Sequence, residues 1–482
     1  MLQGKIIIKI LGGLTLLLGI FMFLCVPVAL WYGDGDAMAF VISGSIAITV
    51  GALANWPLKA DPRNIGKREG FLIVTLSWII FSTFGSLPFL ISGTIPSVSD
   101  AFFETMSGFT TTGASILTDI EALPHGILFW RSMTQWLGGM GIITLSIAVL
   151  PLLKIGNMQL FNAEVPGPTP DKLHPKLKET AKRLWLIYIF FTFAETMLLW
   201  AGEMNLFDAV CHSFTTMATG GYSTKNASIA AYSSPYIHWV ITIFMIIAGT
   251  NFTLAYLGMK GKFPKVVKNE EFRFYISLLF ISIVVIALVL FYQVGLSPGS
   301  SAREAAFQVV SIVTTTGFAT ADFALWGPFL TLFIFLLMFT GGSAGSTGGG
   351  VKMVRLLLLA KNSRSELRRL IHPNAVIPVR LNHKAVPQQV IYNIQAFIVF
   401  YLIITGLSAM VISIMGYDLI TSLTSVAATL GNIGPGLGEV GPSLNYAHFP
   451  AFGKWFLSFL MLLGRLELFT VLVLLQASFY KH

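Results

Sequence analysis

Thr110-Thr111-Thr112-Gly113-Ala114-Ser115, Thr219-Gly220-Gly221-Tyr222-Ser223, Thr315-Thr316-Gly317-Phe318-Ala319 and Asn432-Ile433-Gly434-Pro435-Gly436 are four versions of one short loop, spread along a chain of 482 residues. In the first three, an acid followed by alanine stands thirteen positions before the central glycine, at Asp100-Ala101, Asp208-Ala209 and Glu304-Ala305. The fourth approach is longer: Asp418 precedes Gly434 by sixteen positions, which moves the expected start of its helix toward Thr421. The stretches leading into the loops, 100–112, 208–219, 304–316 and 420–431, are moderately apolar. A helix of about 12 residues rises only ~18 Å, too little to cross a hydrocarbon core of ~30 Å. Each stretch therefore reads as a re-entrant half-helix followed by a glycine loop.

The sequence around the loops is that of a membrane protein. Apolar residues make up 55% of the chain and charged residues 11%, against about 25% charged in a soluble domain. Ten spans are expected, at 10–32, 38–57, 70–92, 125–153, 180–202, 235–258, 272–296, 326–358, 389–415 and 453–479. The basic residues fall in alternate loops: Lys59, Arg63, Lys67 and Arg68; Lys172 to Arg183; Lys260 to Arg273; Lys352 to Lys384. Lys225 and Arg303 are the exceptions in the other set. The positive-inside rule puts the basic loops and both termini in the cytoplasm, so the four glycine loops enter from outside. A net charge of +9 distributed this way is a topology signal rather than a nucleic-acid surface. The run from Ile10 to Tyr32 is too long for a signal-peptide core and reads as a retained first helix. Cys25 and Cys211 form no metal or redox motif and read as buried free thiols.

The last eight spans thus divide into four units of helix, half-helix, glycine loop and helix, bounded at 61–160, 161–262, 263–362 and 363–482, with two extra helices in 1–60. The fold class is an all-α polytopic membrane protein. A dehydrated cation needs oxygens in place of its water, and four such loops about one axis can supply rings of carbonyls. Glycine reaches backbone angles that let successive carbonyls turn together. The half-helix C-termini, the negative ends of their dipoles, would face the cation. The bland alternative is turn chemistry, since Thr-x-Gly is common in loops; four copies in the same context weigh against it.

Two further features stand out. Thr340-Gly341-Gly342-Ser343-Ala344-Gly345-Ser346-Thr347-Gly348-Gly349-Gly350 interrupts the span after the third loop. It lacks the Gly-Lys-Ser/Thr ending of a phosphate loop, so it reads as a flexible gate or as a packed kink. Arg465 lies deep in the last span, with Glu467 too near in sequence to face it on one helix. It is either a pore barrier or one end of an interhelical bond. Gly138-Gly139-Met140-Gly141 should let a neighbouring helix approach closely. The scattered histidines have no metal-ligand spacing and read as structural, and Arg131 and Gln135, which share a helix face, are assigned no role.

Together these motifs, with Gly345 to Gly350 and Gly464-Arg465-Leu466-Glu467, resemble the TrkH-type potassium uptake subunits of the Trk/Ktr/HKT superfamily over essentially the whole length. The resemblance implies a pseudo-fourfold pore in each protomer and assembly as a homodimer in the bacterial inner membrane. It implies filter glycines at Gly113, Gly221, Gly317 and Gly434. Potassium would be held by the backbone carbonyls of Thr111, Thr112, Thr219, Gly220, Thr315, Thr316, Asn432 and Ile433. It further implies a gate formed by Gly345, Ser346, Thr347, Gly348, Gly349 and Gly350, a pore arginine at Arg465, and a cytoplasmic ring of TrkA-type nucleotide-binding subunits. Glycine in all four loops goes with potassium over sodium. Beyond the transported K+ no cofactor is implied, and surrounding lipid is the remaining partner. The competing class is a proton- or sodium-coupled secondary transporter, which usually carries inverted repeats. No paired carboxylates or nucleophile constellation suggest an enzyme.

Overall fold

The computed structural model describes residues 3–55, 66–148 and 177–480. Lys59, Arg63, Lys172, Lys176, the ends of the second and fourth expected spans, and the boundaries near 60 and 160 lie outside the described residues. Among the described residues six helices are long and apolar enough to cross a bilayer: Gly4–Tyr32, Ala37–Asn55, Arg68–Ile91, Ala181–Ala201, Glu270–Val294 and Gln388–Ile414. The first starts six residues earlier than expected, because Ile6 and Ile7 are buried against the fold; it restarts at Val26, where Pro27 sits in the first turn. Its neighbour is packed glycine to glycine: a Cβ on Gly19 would lie 2.8 Å from the Gly44 carbonyl, and one on Gly51 2.6 Å from that of Gly12.

The burial pattern fits lipid outside and polar contacts inside. On the helix Leu177–Ala201, Leu186, Phe190 and Phe193 face outward while Tyr188, Thr192, Glu195 and Thr196 are buried.

Two spans that read as continuous are bent. Pro235–Ala248 and Phe252–Met259 meet at 111°, and Ala451–Arg465 turns by 110° into Phe469–Leu475. At the first bend the Asn251 side chain accepts from Thr253 N at 2.7 Å and caps the second piece. At the second, Glu467 and Leu468 take left-handed angles of 56° and 54°. Arg465 is therefore the last residue of its helix, a correction to its reading as mid-span. The break at the glycine run holds: helix Pro328–Leu337 stops, and Met353–Ile371 begins beyond it. His125–Ala148 is a further helix of 24 residues at the fourth expected span, outside the set apolar enough to cross a bilayer.

The four short helices are Val98–Phe109, Leu206–Met217, Pro298–Val313 and Leu419–Leu430. Their start residues are Ser97, Asn205, Ser297 and Asp418; the last three cap through their side chains. Counted from these, the first, second and fourth approaches are equal, each sixteen residues to the glycine. The fourth is thus a full match starting at Asp418, and the late start near Thr421 is overturned. Asp418 is the cap itself, whereas Asp100 and Asp208 lie inside the first turn. The third is the exception, one turn longer, with Glu304 well inside the helix and no acid in its first turn.

The extra N-terminal pair docks through acids. Asp34 Oδ2 accepts from the His125 backbone N–H at 2.8 Å and from its ring nitrogen at 2.7 Å, and Asp36 Oδ2 from Ile127 N at 3.0 Å. The two carboxylates cap the helix His125–Ala148 from another segment. The His125 backbone and side-chain hydrogen bonds hold the Asp34 carboxyl below its ordinary range. Its contribution is therefore complete above the unfolded carboxylate pKa and is lost only as pH falls through the lowered value.

Candidate functional site

Each short helix ends the same way. Thr112 N donates to Ser107 O at 2.9 Å, Gly220 N to Thr215 O at 2.8 Å, Thr316 N to Ser311 O at 2.8 Å and Ile433 N to Ala428 O at 2.8 Å. These six-to-one bonds are Schellman C-caps, which put the preceding residue in the left-handed region. That residue is Thr111, Thr219, Thr315 or Asn432, with φ between 52° and 60°, although glycine is the usual occupant. A β-branched residue there costs of order 1–3 kcal/mol. The penalty is incurred at the same position in three loops, each time with threonine; the fourth has Asn432, which tolerates left-handed angles.

Two residues on, Gly113, Gly221, Gly317 and Gly434 are also left-handed, at 75° to 100°. Each loop thus carries two positive-φ residues separated by one residue of negative φ, Thr112, Gly220, Thr316 or Ile433.

The four loops form a closed ring. A Cβ on Gly113 would lie 2.1 Å from the Gly220 carbonyl oxygen; on Gly221, 2.0 Å from that of Thr316; on Gly317, 2.0 Å from that of Ile433; on Gly434, 2.7 Å from that of Thr112. Each glycine thus abuts the next loop, and the fourth returns to the first. All four glycines line one cavity of about 150 Å³, with Ser115, Lys225 and Tyr446 on its wall. Asn432 fits the pattern in a different way from the threonines: its amide donates to Thr112 Oγ1 at 2.9 Å and to Met461 O at 2.9 Å.

The glycine run lies directly beneath this ring. Thr347 Oγ1 donates to Met217 O at 3.0 Å, and Gly349 N donates to Thr315 Oγ1 at 2.6 Å. A Cβ on Gly349 would meet Gly431 O at 2.5 Å. The run therefore touches the base of the second, third and fourth loops. The bend at Gly249–Phe252 cradles it: Gly249 O accepts from Ser343 N at 2.8 Å, Asn251 donates to Ala344 O at 2.6 Å, and Phe252 N donates to Gly345 O at 3.2 Å. Arg465 Nη1 donates to Thr347 O at 2.7 Å, while Nε and Nη2 have no hydrogen-bond partner among the described residues. Of the two sequence readings, the structure shows the bond to another segment: its acceptor, Thr347 O, belongs to the glycine run. Glu467 pairs with Arg355 at 2.5 Å.

The sequence model of the TrkH family, described as a cation transport protein, matches residues 36–479. The chain belongs to the TrkH family. It is 44% identical to the Trk system potassium uptake protein TrkH of Escherichia coli K12 over 99% of each chain, and 34% identical to TrkG of the same strain, again over 99% of each. The crystal structure of the potassium transporter TrkH from Vibrio parahaemolyticus superposes with a TM-score of 0.92 at 39% identity, covering 100% of both chains. The fold is that of a multi-pass TrkH-type membrane transport protein, not an enzyme.

In this TrkH-family chain the residues given no role from sequence hold the ring together. Gln135 donates to Gly220 O at 2.7 Å and accepts from Tyr222 N at 3.1 Å, clamping the second loop. Arg131 pairs with Glu104 at 2.7 Å, both fully buried, donates to Ser223 O at 2.9 Å and lies 3.5 Å over the Tyr222 ring. Glu104 in turn accepts from Ile116 N at 2.9 Å. Lys454 reaches Asp100 at 2.8 Å and ties the helix Ala451–Arg465 to the first short one. The polar pair on one face of an apolar helix was the available signal for Arg131 and Gln135.

The glycines of the fourth span are used as expected. A Cβ on Gly138 would lie 1.9 Å from Phe109 O, and Gly464 stands in the same relation to Leu430 O, also at 1.9 Å. Among the described residues no cluster of three or more metal-ligating side chains occurs. Both cysteines are buried and free, and His212 and His238 are held by local hydrogen bonds to Asp208 O and Tyr232 O.

Proposed function

We propose that this protein carries potassium into the cell through a channel-like pore. The carbonyls of Thr111, Thr112, Thr219, Gly220, Thr315, Thr316, Asn432 and Ile433, beside the four glycines, replace the ion's water. The observation that carries the reading is the closed ring of glycine-to-carbonyl contacts, 2.0–2.7 Å for built Cβ atoms, linking all four loops in order. Its relatives' names, which specify potassium uptake, supply the ion. The segment from Gly345 to Gly350 acts as the gate, and Arg465 as a charge barrier beside it. The four units follow the divisions at 61–160, 161–262, 263–362 and 363–482. The protein works as a homodimer in the inner membrane with both termini in the cytoplasm, where a TrkA-type ring controls the gate. The membrane potential supplies about 2.3 kcal/mol per charge per 100 mV, enough to drive uptake without a coupling site. All four glycines line the same cavity, which supports four loops entering from one side rather than the inverted repeats of a coupled transporter.

The test is potassium flux into liposomes holding the purified protein, with and without an imposed voltage. Voltage-driven flux without a proton or sodium gradient supports the reading; flux that requires such a gradient sinks it. In the same assay Arg465→Ala is expected to raise conductance, because a fixed cation under the ring repels the permeating one. Unchanged conductance would leave Arg465 a purely structural role.

A further inference from the structure

Two consecutive carbonyl oxygens of the glycine run, directly below the ring, each accept from a buried side-chain cation. Thr347 O accepts from Arg465, and Gly348 O accepts from the ammonium of Lys352. Lys352 is 9% exposed and Arg465 4%. The site of Lys352 is not a loop edge. A Cβ on Gly348 would lie 2.9 Å from Thr314 O and 3.4 Å from Thr315 Oγ1, at the base of the third loop, and the next residue, Gly349, donates to Thr315 Oγ1 at 2.6 Å. Backbone carbonyls are the ligands a partly dehydrated cation takes. An ion leaving the ring therefore meets two such oxygens that are already occupied by tethered positive charges.

We propose that Lys352 is a second permeation-determining residue, a tethered cation that occupies the Gly348 carbonyl and excludes the permeating ion until the glycine run moves. Lys352 immediately precedes the helix Met353–Ile371, so its ammonium travels with whatever shifts that helix. Glu271 steadies the other end of the run by accepting from Ala344 N at 2.7 Å. The single-sequence signal was slight: Lys352 counted only as one of the basic loop residues and as a mismatch to a phosphate loop.

This inference rests on the pore reading, and the experiment separates the two. Potassium flux through the full-length protein in liposomes is measured for wild type, Lys352→Arg, Lys352→Met and Lys352→Gln, with potassium-to-sodium ratios taken alongside. Wild-type protein giving no voltage-driven potassium flux defeats the pore reading itself. With that flux present, the expected result is a several-fold rise in Lys352→Met and Lys352→Gln, Lys352→Arg close to wild type, and an unchanged ion ratio because the ring above is intact. Lys352→Gln keeps a donor for Gly348 O but not the charge, so it separates charge from hydrogen bonding and serves if Lys352→Met fails to fold. Flux in the neutral variants equal to or below wild type overturns the proposal. So does an equal rise in Lys352→Arg, or an altered ion ratio, since either would mark disturbed packing rather than a removed charge.

Discussion

Gly113→Ser is expected to lower the potassium-over-sodium flux ratio about tenfold, the factor that accompanies ~1.4 kcal/mol. The position leaves no room for a side chain. Gly113 has φ of 83°, and a Cβ there would sit 2.1 Å from the Gly220 carbonyl oxygen. A left-handed residue with a Cβ costs roughly 1–2 kcal/mol, and the contact forces Gly220 O away. That oxygen is held on its other side by Gln135 at 2.7 Å, so strain passes into the ring instead of dissipating. A ring of carbonyls spaced for one ion then favours it less. The superfamily resemblance implies the same direction, since glycine in all four loops goes with potassium over sodium. The readout is the ion ratio in reconstituted flux. Reduced flux at a constant ratio would show a folding defect, and an unaltered ratio with full flux would remove Gly113 from the selective element.

Arg131→Leu is expected to cost about 3–5 kcal/mol of stability, the usual result of removing one partner from a buried ion pair. Glu104 is 1% exposed and would keep its bonds to Ser115 and Ile116 but lose its only counter-charge among the described residues. Arg131 also carries the Ser223 carbonyl and the Tyr222 ring, so the second loop loosens with it. Thermal unfolding of the detergent-solubilised protein should show a markedly lower midpoint. Adding Glu104→Gln to Arg131→Leu should recover part of the loss, because the orphaned charge goes with it. An unchanged midpoint in the single variant would mean that the pair is solvated and contributes little.

The sequence carried the elements whose signal is local and repeated. Four Thr-x-Gly-like loops between apolar spans exposed the ring, and eleven residues of glycine, serine, threonine and alanine at Thr340–Gly350 exposed the break. What stayed hidden depends on contacts made only after folding. The stretch 235–258 carries no Lys, Arg, Asp or Glu and reads as one span, and its bend exists because Gly249 and Asn251 bond to Ser343 and Ala344, almost a hundred residues away. The turn after Arg465 uses Glu467 and Leu468 in left-handed angles, residues that carry no turn signature. The Schellman ends of the short helices were invisible for the same reason, since threonine and asparagine stand where glycine would announce a cap. The apparent irregularity of the fourth loop came from aligning Asp418, a cap, with Asp100 and Asp208, which lie inside the helix.

The most direct measurement is anomalous diffraction from crystals of the protein soaked in a rubidium salt. Rubidium should appear on the axis enclosed by Gly113, Gly221, Gly317 and Gly434, within direct coordination distance of carbonyls from all four loops. Rubidium absent from that axis but bound elsewhere, or coordinated by side chains of a single loop, would contradict the account.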